Sequence, residues 1–146
     1  MPIQQITPIE AKEILDRDPE ALYVDVRSAL EFVNGHPAGA INIPVMHSRG
    51  GSMIPNLDFQ KVAESILPKD KKLIVGCMAG GRSQKACQFL EQAGFKNLSN
   101  MMGGFGGGMN PKTGESVKGW KDSGLPVSQE NGEGVSYDSL ASKAKK

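Results

Sequence analysis

The chain has 146 residues, the size of one ordinary domain with a single hydrophobic core. Its 17 basic residues nearly balance 16 acidic residues, so no domain-wide positive field attracts nucleic acid, and we expect no nucleic-acid partner. The first residues lack a basic region followed by an apolar run, and no stretch reaches the roughly 20 apolar residues that span a bilayer. We therefore expect a cytoplasmic protein with no membrane partner.

Short apolar runs alternate with helical patterns along the first half of the chain. The predicted strands and helices lie at residues 3–6, 8–16, 21–26, 28–33, 40–44 and 58–66. The run Thr7-Pro8-Ile9-Glu10 predicts a helix start, because it offers an N-cap hydroxyl, a proline at the first helical position and a capping-box glutamate. Residues 45–56 are rich in Gly, Ser, Pro and Met, which predicts a loop.

The second half of the chain holds the clearest strand and the clearest helix. Residues 72–77 form a continuous apolar run, typical of a parallel strand buried on both faces, and residues 83–93 place their apolar side chains on one side of a helix. A further strand is predicted at residues 97–101. The alternation favours an α/β domain over residues 1–127, with a central, mostly parallel sheet of about five strands flanked by helices on both faces. Residues 128–146 are polar and are expected to form a flexible C-terminal tail.

Cys77 lies where the strongest strand ends and the strongest helix begins. Open α/β sheets bind ligands at the carboxyl ends of their strands, and a helix N-terminus presents N–H groups and a positive dipole end. A thiol held there has its pKa lowered from about 8.5, which makes a thiolate available at neutral pH. A cysteine at a strand end can also be a buried filler, but this junction favours a nucleophile.

The loop after Cys77 has the composition of an anion-binding nest. Its two glycines allow successive amides to turn toward one centre, and its small side chains leave that centre open. The predicted substrate-binding residues are Met78, Ala79, Gly80, Gly81, Arg82 and Ser83. Arg82 either adds positive charge or braces the loop against an acidic residue, and we favour the brace. Arg49 is a weaker candidate for steering an anionic donor.

Two phosphate-binding loops resemble this segment in part. Residues 76–83 nearly match the Walker A loop of nucleotide-binding proteins, but Arg82 stands where that loop has a lysine. The cysteine phosphatase loop has a histidine before its cysteine and five residues before its arginine. Here Gly76 precedes Cys77, and only four residues separate Cys77 from Arg82. The shorter ring suits a smaller terminal atom such as sulfur, and a phosphatase or arsenate reductase stays as the less favoured rival.

The second cysteine and the histidines predict no metal chemistry. Cys87 lies at the flank of an apolar helical stripe, which predicts a packing role, with a resolving thiol as the alternative. Both cysteines are expected to be reduced thiols. Two histidines and two cysteines without close ligand spacing predict no metal site, and no cofactor is expected.

Further motifs, taken with the Cys-x-x-Gly-x-Arg-Ser loop, resemble those of the rhodanese family. They are Asp25-Val26-Arg27, Glu31-Phe32, Gly35-His36-Pro37-x-Gly39-Ala40-x-Asn42-Ile43-Pro44, Gly103-Gly104-Phe105, Trp120 and Gly124-Leu125-Pro126. Their order and spacing resemble the family's from residue 3 to about residue 127, and two stretches are especially similar to plant-type single-domain sulfurtransferases. The resemblance implies a rhodanese-like fold with the cysteine at the floor of a shallow cradle.

The same resemblance implies a sulfurtransferase that carries sulfur as a persulfide on Cys77. A small anionic donor, thiosulfate in the family's standard reaction, supplies the sulfur, and cyanide or a thiol removes it, with a protein acceptor as a further option. The alternative is a sulfur carrier or interaction module with little turnover of its own. Asp25, Arg27 and Glu31 are predicted to form a supporting ion-pair network, and His36 a structural hydrogen bond in a turn.

The sequence departs from the family pattern after Phe105. Residues 106–119 intervene before Trp120 as a Gly-rich insertion, and a turn-rich run at residues 110–114 is consistent with a hairpin tip. Two interpretations remain open for this insertion. It is either a tolerated surface loop, because loops absorb length cheaply, or a lid or docking element over Cys77.

Overall fold

The computed structural model describes residues 3–47, 52–79, 81–110 and 112–144. For residues 48 and 49 it describes the backbone alone. Its strands are β1 (Gln4–Ile6), β2 (Leu22–Asp25), β3 (His36–Pro37), β4 (Ile41–Asn42), β5 (Met46–Arg49), β6 (Ser52–Pro55), β7 (Leu73–Gly76), β8 (Leu98–Met101), β9 (Gly108–Met109), β10 (Ser116–Val117) and β11 (Val127–Ser128). Its α-helices are α1 (Pro8–Arg17), α2 (Ala29–Val33), α3 (Phe59–Ile66), α4 (Gly81–Gln92) and α5 (Tyr137–Ala144). A short 3₁₀ helix covers Lys121–Ser123.

The central sheet has five strands in the order β1-β8-β7-β2-β4, and all of its neighbouring pairs are parallel. The four residues of β7 are all buried, as are those of β8, which agrees with strands covered on both faces. Because every strand runs the same way, their carboxyl ends meet at one edge of the sheet. The predicted α/β fold is confirmed, and this edge receives the ends of β7 and β8.

Helices cover both faces of the sheet. Buried side chains of α1 and α2, Ala11 and Phe32, join one apolar cluster with Ile74 of the central strand. Helices α3, α4 and α5 contribute to a second cluster, which contains the neighbouring Leu73 and Val75. The two clusters follow from the strand period of two, because successive side chains of β7 point to opposite faces.

The start of α1 is built as the sequence predicts, and α2 begins in the same way. The Thr7 hydroxyl accepts from the Glu10 amide at 3.2 Å, and the Glu10 carboxylate accepts from the Thr7 amide at 2.9 Å, which completes a capping box at α1. Ser28 and Glu31 form the same reciprocal pair at α2. No helix in the described part of the chain is long and apolar enough to cross a membrane.

Two segments predicted to be loops contain paired strands. Within residues 45–56, β5 and β6 form an antiparallel pair, and in the insertion β9 pairs antiparallel with β10. These strands are short and mostly exposed, so they lack the alternating apolar pattern from which strands are predicted. Their pairing rests on backbone hydrogen bonds, which composition does not reveal.

The structure also differs from the flexible tail expected after residue 127. Strand β11 pairs with β3, and helix α5 lies against α3. Leu140 of α5 is only 3% exposed and belongs to the same apolar cluster as α3. The Tyr137 hydroxyl accepts a hydrogen bond from the Asn56 amide at 3.1 Å. A single fully buried leucine in a polar helix gives a weak sequence signal, and in the structure Tyr137, Ala141 and Ala144 also pack against the cluster.

The burial of Leu140 predicts that this helix stabilises the domain. Leu140→Ala should lower the free energy of unfolding by about 2–3 kcal/mol, because it removes buried methyl groups and leaves a cavity. Leu57→Ala is the control, since Leu57 is 94% exposed and its loss should change stability by less than about 0.5 kcal/mol. Urea unfolding of both variants measures the difference. Equal stability of Leu140→Ala and the unsubstituted protein would mean that α5 is not packed in solution.

Candidate active site

Cys77 directly follows β7, at the carboxyl edge of the sheet, and α4 begins four residues later at Gly81. The side chain is 2% exposed, and its sulfur lies 3.4 Å from the Ser83 hydroxyl oxygen. The first amides of an α-helix are not used by its internal hydrogen bonds, and they carry the positive end of the helix dipole. The cysteine is therefore held at the end of α4 that attracts negative charge.

The residues around this thiol divide into an exposed rim and a buried floor. Met78 is 37% exposed, and Ala79 and Gly81 are exposed as well, whereas Ser83 is fully buried. Gly80, a predicted binding residue, lies outside the described residues. The side chain of Arg49, the weaker candidate for steering a donor, also lies outside the described part of the structure. The rim is built from small or flexible groups, so access to the sulfur is controlled by few atoms.

A chain of polar side chains runs from the Cys77 sulfur through β8 to the edge strand β1 and back to α4. The Ser83 hydroxyl donates to Asn100 Oδ1, the Asn100 amide donates to Gln5 Oε1 at 2.9 Å, and the Gln5 amide donates to Gln84 Oε1 at 2.6 Å. The sequence reasoning missed Asn100, Gln5 and Gln84. The available signal was the presence of polar residues inside two predicted strands, where a buried amide needs a partner.

Arg82 forms a two-pronged ion pair with Glu31 of α2. Its guanidinium nitrogens lie 2.7 and 3.0 Å from the two carboxylate oxygens of Glu31. Burial alone would raise the pKa of Glu31, but hydrogen bonds from Arg82 and Ser28 outweigh burial and lower that pKa from 4.5 to about 2. The hydrogen bonds to Glu31 also raise the pKa of Arg82. This pair ties the start of α4 to α2, which is the brace that the sequence reasoning favoured.

The other predicted supports form a separate buried group. The Arg27 guanidinium donates to the Asp25 carboxylate at 2.7 Å and to the Gly35 carbonyl at 2.7 Å, and its charged carbon lies 4.6 Å from the ring centre of Phe105. Among the described residues, Asp25 and Arg27 thus form one pair, and Glu31 forms another with Arg82. The sequence predicts that Asp25, Arg27 and Glu31 form one ion-pair network. The structure instead divides them between two separate ion pairs.

His36 is buried and turned toward the backbone. Its Nδ1 lies 2.8 Å from the Phe32 carbonyl oxygen, and its ring stacks on the Phe32 ring. A carbonyl can only accept, so Nδ1 carries the hydrogen. The backbone of His36, in β3, pairs with Ser128 of β11. These contacts describe a structural histidine.

The residue before the cysteine has no room for a side chain. A Cβ atom at Gly76 would lie 1.8 Å from the Tyr23 hydroxyl oxygen. A histidine, which the cysteine phosphatase loop has in this position, does not fit here unless Tyr23 moves. The packing of Tyr23 therefore disfavours the phosphatase arrangement independently of loop length.

Cys87 lies on the buried side of α4, inside the apolar cluster. Burial, with a smaller contribution from the negative charge of Glu91, raises the pKa of its thiol from 9.0 to about 12. A thiol with so high a pKa stays protonated and is a poor nucleophile. The geometry supports the packing role rather than a resolving role.

The Gly-rich segment after β8 lies directly against the cysteine loop. The amides of Phe105 and Gly106 donate to the carbonyls of Cys77 and Met78 at 2.7 and 2.9 Å. A Cβ atom at Gly104, Gly106 or Gly108 would lie within 2.5 Å of an atom of residues 77–79. At Gly104 and Gly108 the close atom is a backbone oxygen, so close approach of two backbones requires glycine there, whereas at Gly106 the close atom is the Met78 side-chain sulfur. The insertion therefore begins as a packed neighbour of the loop.

The pKa of Glu31 predicts how stability depends on pH. Because this pKa is lower in the folded protein than the usual 4.5, the pair stabilises the fold fully above that pH and progressively less as the pH falls toward about 2. Glu31→Gln should cost about 2 kcal/mol at neutral pH. That cost should shrink from about pH 5 to about pH 2, where Glu31 itself becomes neutral.

Urea unfolding at several pH values measures this difference. Glu133→Gln is the control, because the Glu133 side chain is exposed and its removal should cost little at any pH. A cost of Glu31→Gln that stays constant with pH would contradict the described ion pair.

Comparison with known proteins identifies relatives over most of the chain. The family model "Rhodanese-like domain" matches residues 7–110. Thiosulfate sulfurtransferase 16, chloroplastic, of Arabidopsis thaliana is 38% identical over 105 residues, covering 72% of this chain and 78% of the relative. Thiosulfate sulfurtransferase GlpE of Haemophilus influenzae is 35% identical over 107 residues, covering 73% and 89%.

Solved structures agree with the sequence relatives. The crystal structure of Rv0390 from M. tuberculosis superposes with a TM-score of 0.73 at 28% identity, covering 89% of this chain and all of that protein. The matched family region contains Cys77 and its loop, both supporting ion pairs and the strands that position them. On this evidence the chain belongs to the rhodanese family.

Proposed function

We propose that the protein is a thiosulfate sulfurtransferase that transfers sulfur through a persulfide on Cys77. The observation that carries this proposal is the position of the Cys77 sulfur, beside the Ser83 hydroxyl and at the N-terminal end of α4. The relatives named as thiosulfate sulfurtransferases support sulfur transfer in general. Donor, acceptor and the role of each residue are parts of the proposal.

In the first step, the Cys77 thiolate attacks the outer sulfur of thiosulfate. A bond forms between the two sulfurs, the sulfur–sulfur bond of thiosulfate breaks, and its electron pair leaves with sulfite. The enzyme now carries an additional sulfur atom as a negatively charged persulfide. In the second step, cyanide or a thiolate takes that sulfur, and the electron pair of the broken bond returns to Cys77 as a thiolate.

The loop supplies charge stabilisation for both steps. Amides from Met78 to Ser83, at the start of α4, would hold the terminal sulfur and its negative charge in the manner of an oxyanion hole. The Ser83 hydroxyl is close enough to Sγ to accept from a thiol or, after rotation, to donate to a thiolate. Arg82 is bound to Glu31 on both carboxylate oxygens, so its role in this proposal is to fix the loop.

Two alternatives remain to be separated by experiment. A sulfur carrier or interaction module would form the persulfide but turn over slowly without its own partner. A cysteine phosphatase or arsenate reductase would act on an oxyanion instead, and one relative, 41% identical over 83 residues, is named Protein HIGH ARSENIC CONTENT 1, mitochondrial. Since relatives are named for the chloroplast and the mitochondrion, the cytoplasmic location stays a prediction.

The decisive measurement is the intact mass of the protein before and after thiosulfate, and again after cyanide. The unsubstituted protein should gain the mass of one sulfur atom with thiosulfate and lose it with cyanide. Cys77→Ser should gain nothing and should lose at least about a thousandfold in turnover, because the nucleophile is gone. Cys87→Ala is the matched control and should still load sulfur, since Cys87 is buried and protonated.

Each alternative gives a different result in the same experiment. Turnover by Cys77→Ser would contradict the mechanism. Stable loading with negligible cyanide turnover would favour the carrier. Hydrolysis of an aryl phosphate or reduction of arsenate, without any gain of sulfur from thiosulfate, would favour the rival enzyme.

A further inference from the structure

A cavity lies between the cysteine loop and the insertion. Its volume is about 510 Å³, within the range of sites for small organic ligands. Ala79 and Gly81 of the loop line one side, and Met109 and Lys112 of the insertion line another. We call it the insertion cavity, because one of its walls comes from the segment by which this chain departs from the family pattern.

The insertion is held firmly where it lines this cavity. Gly108 of β9 lies against Ala79, where a Cβ atom would come within 2.3 Å of the Ala79 carbonyl oxygen. Strand pairing of β9 with β10 closes the hairpin, and the Asn110 side chain accepts from the Lys112 amide at 2.9 Å, which fixes the turn. The cavity therefore has a preformed wall.

The cavity wall is also connected to the reactive sulfur. Gln5, Gln84 and Asn100 line it, and these are the amides of the hydrogen-bonded chain that ends at Ser83. Ser83 in turn contacts the Cys77 sulfur. The cavity lining is thus linked to the Cys77 sulfur through Asn100 and Ser83, although neither Cys77 nor Ser83 lines the cavity itself.

The lining specifies the chemistry of the ligand. Lys112 is the only charged group among the described residues that line the cavity, so an anionic ligand is favoured. Met102 and Met109 supply an apolar, polarisable surface for a short carbon chain. The amides offer both donors and acceptors. The combination fits a small organic molecule with a carboxylate at one end.

We propose that the insertion cavity binds the sulfur acceptor, a small organic thiol that carries a carboxylate, and that Lys112 selects it by charge. The proposal rests on the proposed sulfurtransferase function and names its acceptor. The acceptor thiolate attacks the outer sulfur of the Cys77 persulfide, and a new sulfur–sulfur bond forms. The bond to Sγ breaks, its electron pair returns to Cys77 as a thiolate, and the acceptor leaves as its own persulfide, with no external oxidant or reductant.

The experiment follows the second half of the reaction alone. The protein is loaded with thiosulfate, freed of excess donor and sulfite, and mixed with mercaptopropionate, cysteamine or cyanide. Mercaptopropionate and cysteamine are thiols of similar size and opposite charge. Cyanide is the control acceptor, because so small a molecule does not need the cavity. The rate at which the protein loses the mass of one sulfur atom is measured for each acceptor.

The charge preference should depend on Lys112 and not on a neighbouring lysine. In Lys112→Glu, the ratio of the rate with mercaptopropionate to the rate with cysteamine should fall about tenfold. The reason is that the attraction between the side chain at position 112 and the carboxylate of mercaptopropionate becomes a repulsion. The effect should weaken at high salt. Lys118→Glu is the matched control, since Lys118 is an exposed residue of the same insertion outside the cavity lining, and its ratio should change little. Cyanide rates should be similar in all three proteins.

The outcomes separate this inference from the proposed function. Normal loading with thiosulfate, together with an unchanged ratio in Lys112→Glu, would overturn the acceptor site and leave the sulfurtransferase intact. An equal fall in Lys112→Glu and Lys118→Glu would also overturn it, because general surface charge would then explain the effect. No loading of the unsubstituted protein would overturn the proposed function, and this inference with it.

Discussion

The position of Cys77 depends on close packing around the loop that carries it, by backbone at Gly104 and Gly108 and by side chains at Gly76 and Gly106. Residues 77–79 are approached by glycines 104, 106 and 108, and Gly76 is approached by the Tyr23 hydroxyl, at distances where a Cβ atom would overlap. Such contacts leave few alternative conformations for the loop, because interiors packed at crystal density cannot deform continuously. The anion-attracting end of α4 is useful only if the sulfur stays in front of it.

The charged residues near the site also limit the conformations of the loop that carries Cys77. The Asp25–Arg27 pair is almost fully buried, and burying two charges costs free energy that the pair repays only with good geometry. Arg27 meets that condition with several hydrogen bonds to Asp25 and one to the Gly35 carbonyl. The Glu31–Arg82 pair is more exposed and links α2 to the first turn of α4. Because both arginines are held by carboxylates, we propose that backbone amides, rather than these arginines, bind an anionic donor.

The sequence predicted the parts of the molecule whose physics is local or repetitive. The buried strand at residues 72–77, the amphipathic helix after it and the capping box of α1 each have a pattern that does not depend on distant residues. The amides of Gln5 and Asn100 are 95 positions apart, and they meet only because β1 and β8 are adjacent in the sheet. Helix α5 was expected to be a tail, since one buried leucine among polar residues does not reveal which surface it covers. Patterns in the sequence identify single helices and strands. Which distant elements lie side by side can be read only from the three-dimensional structure.

The packing of the insertion disfavours a lid over Cys77, which is one of the roles that the sequence left open beside a docking element and a tolerated surface loop. A lid must move as a unit without disturbing the residues that react, yet the amides of Phe105 and Gly106 bond the carbonyls of Cys77 and Met78 directly. Opening this base of the insertion would break those bonds and release the loop that positions the sulfur. A fixed wall is therefore the arrangement that the contacts of Gly104 and Gly108 with residues 77–79 support. We propose that Lys112, at the exposed end of this wall, sets acceptor preference by its charge.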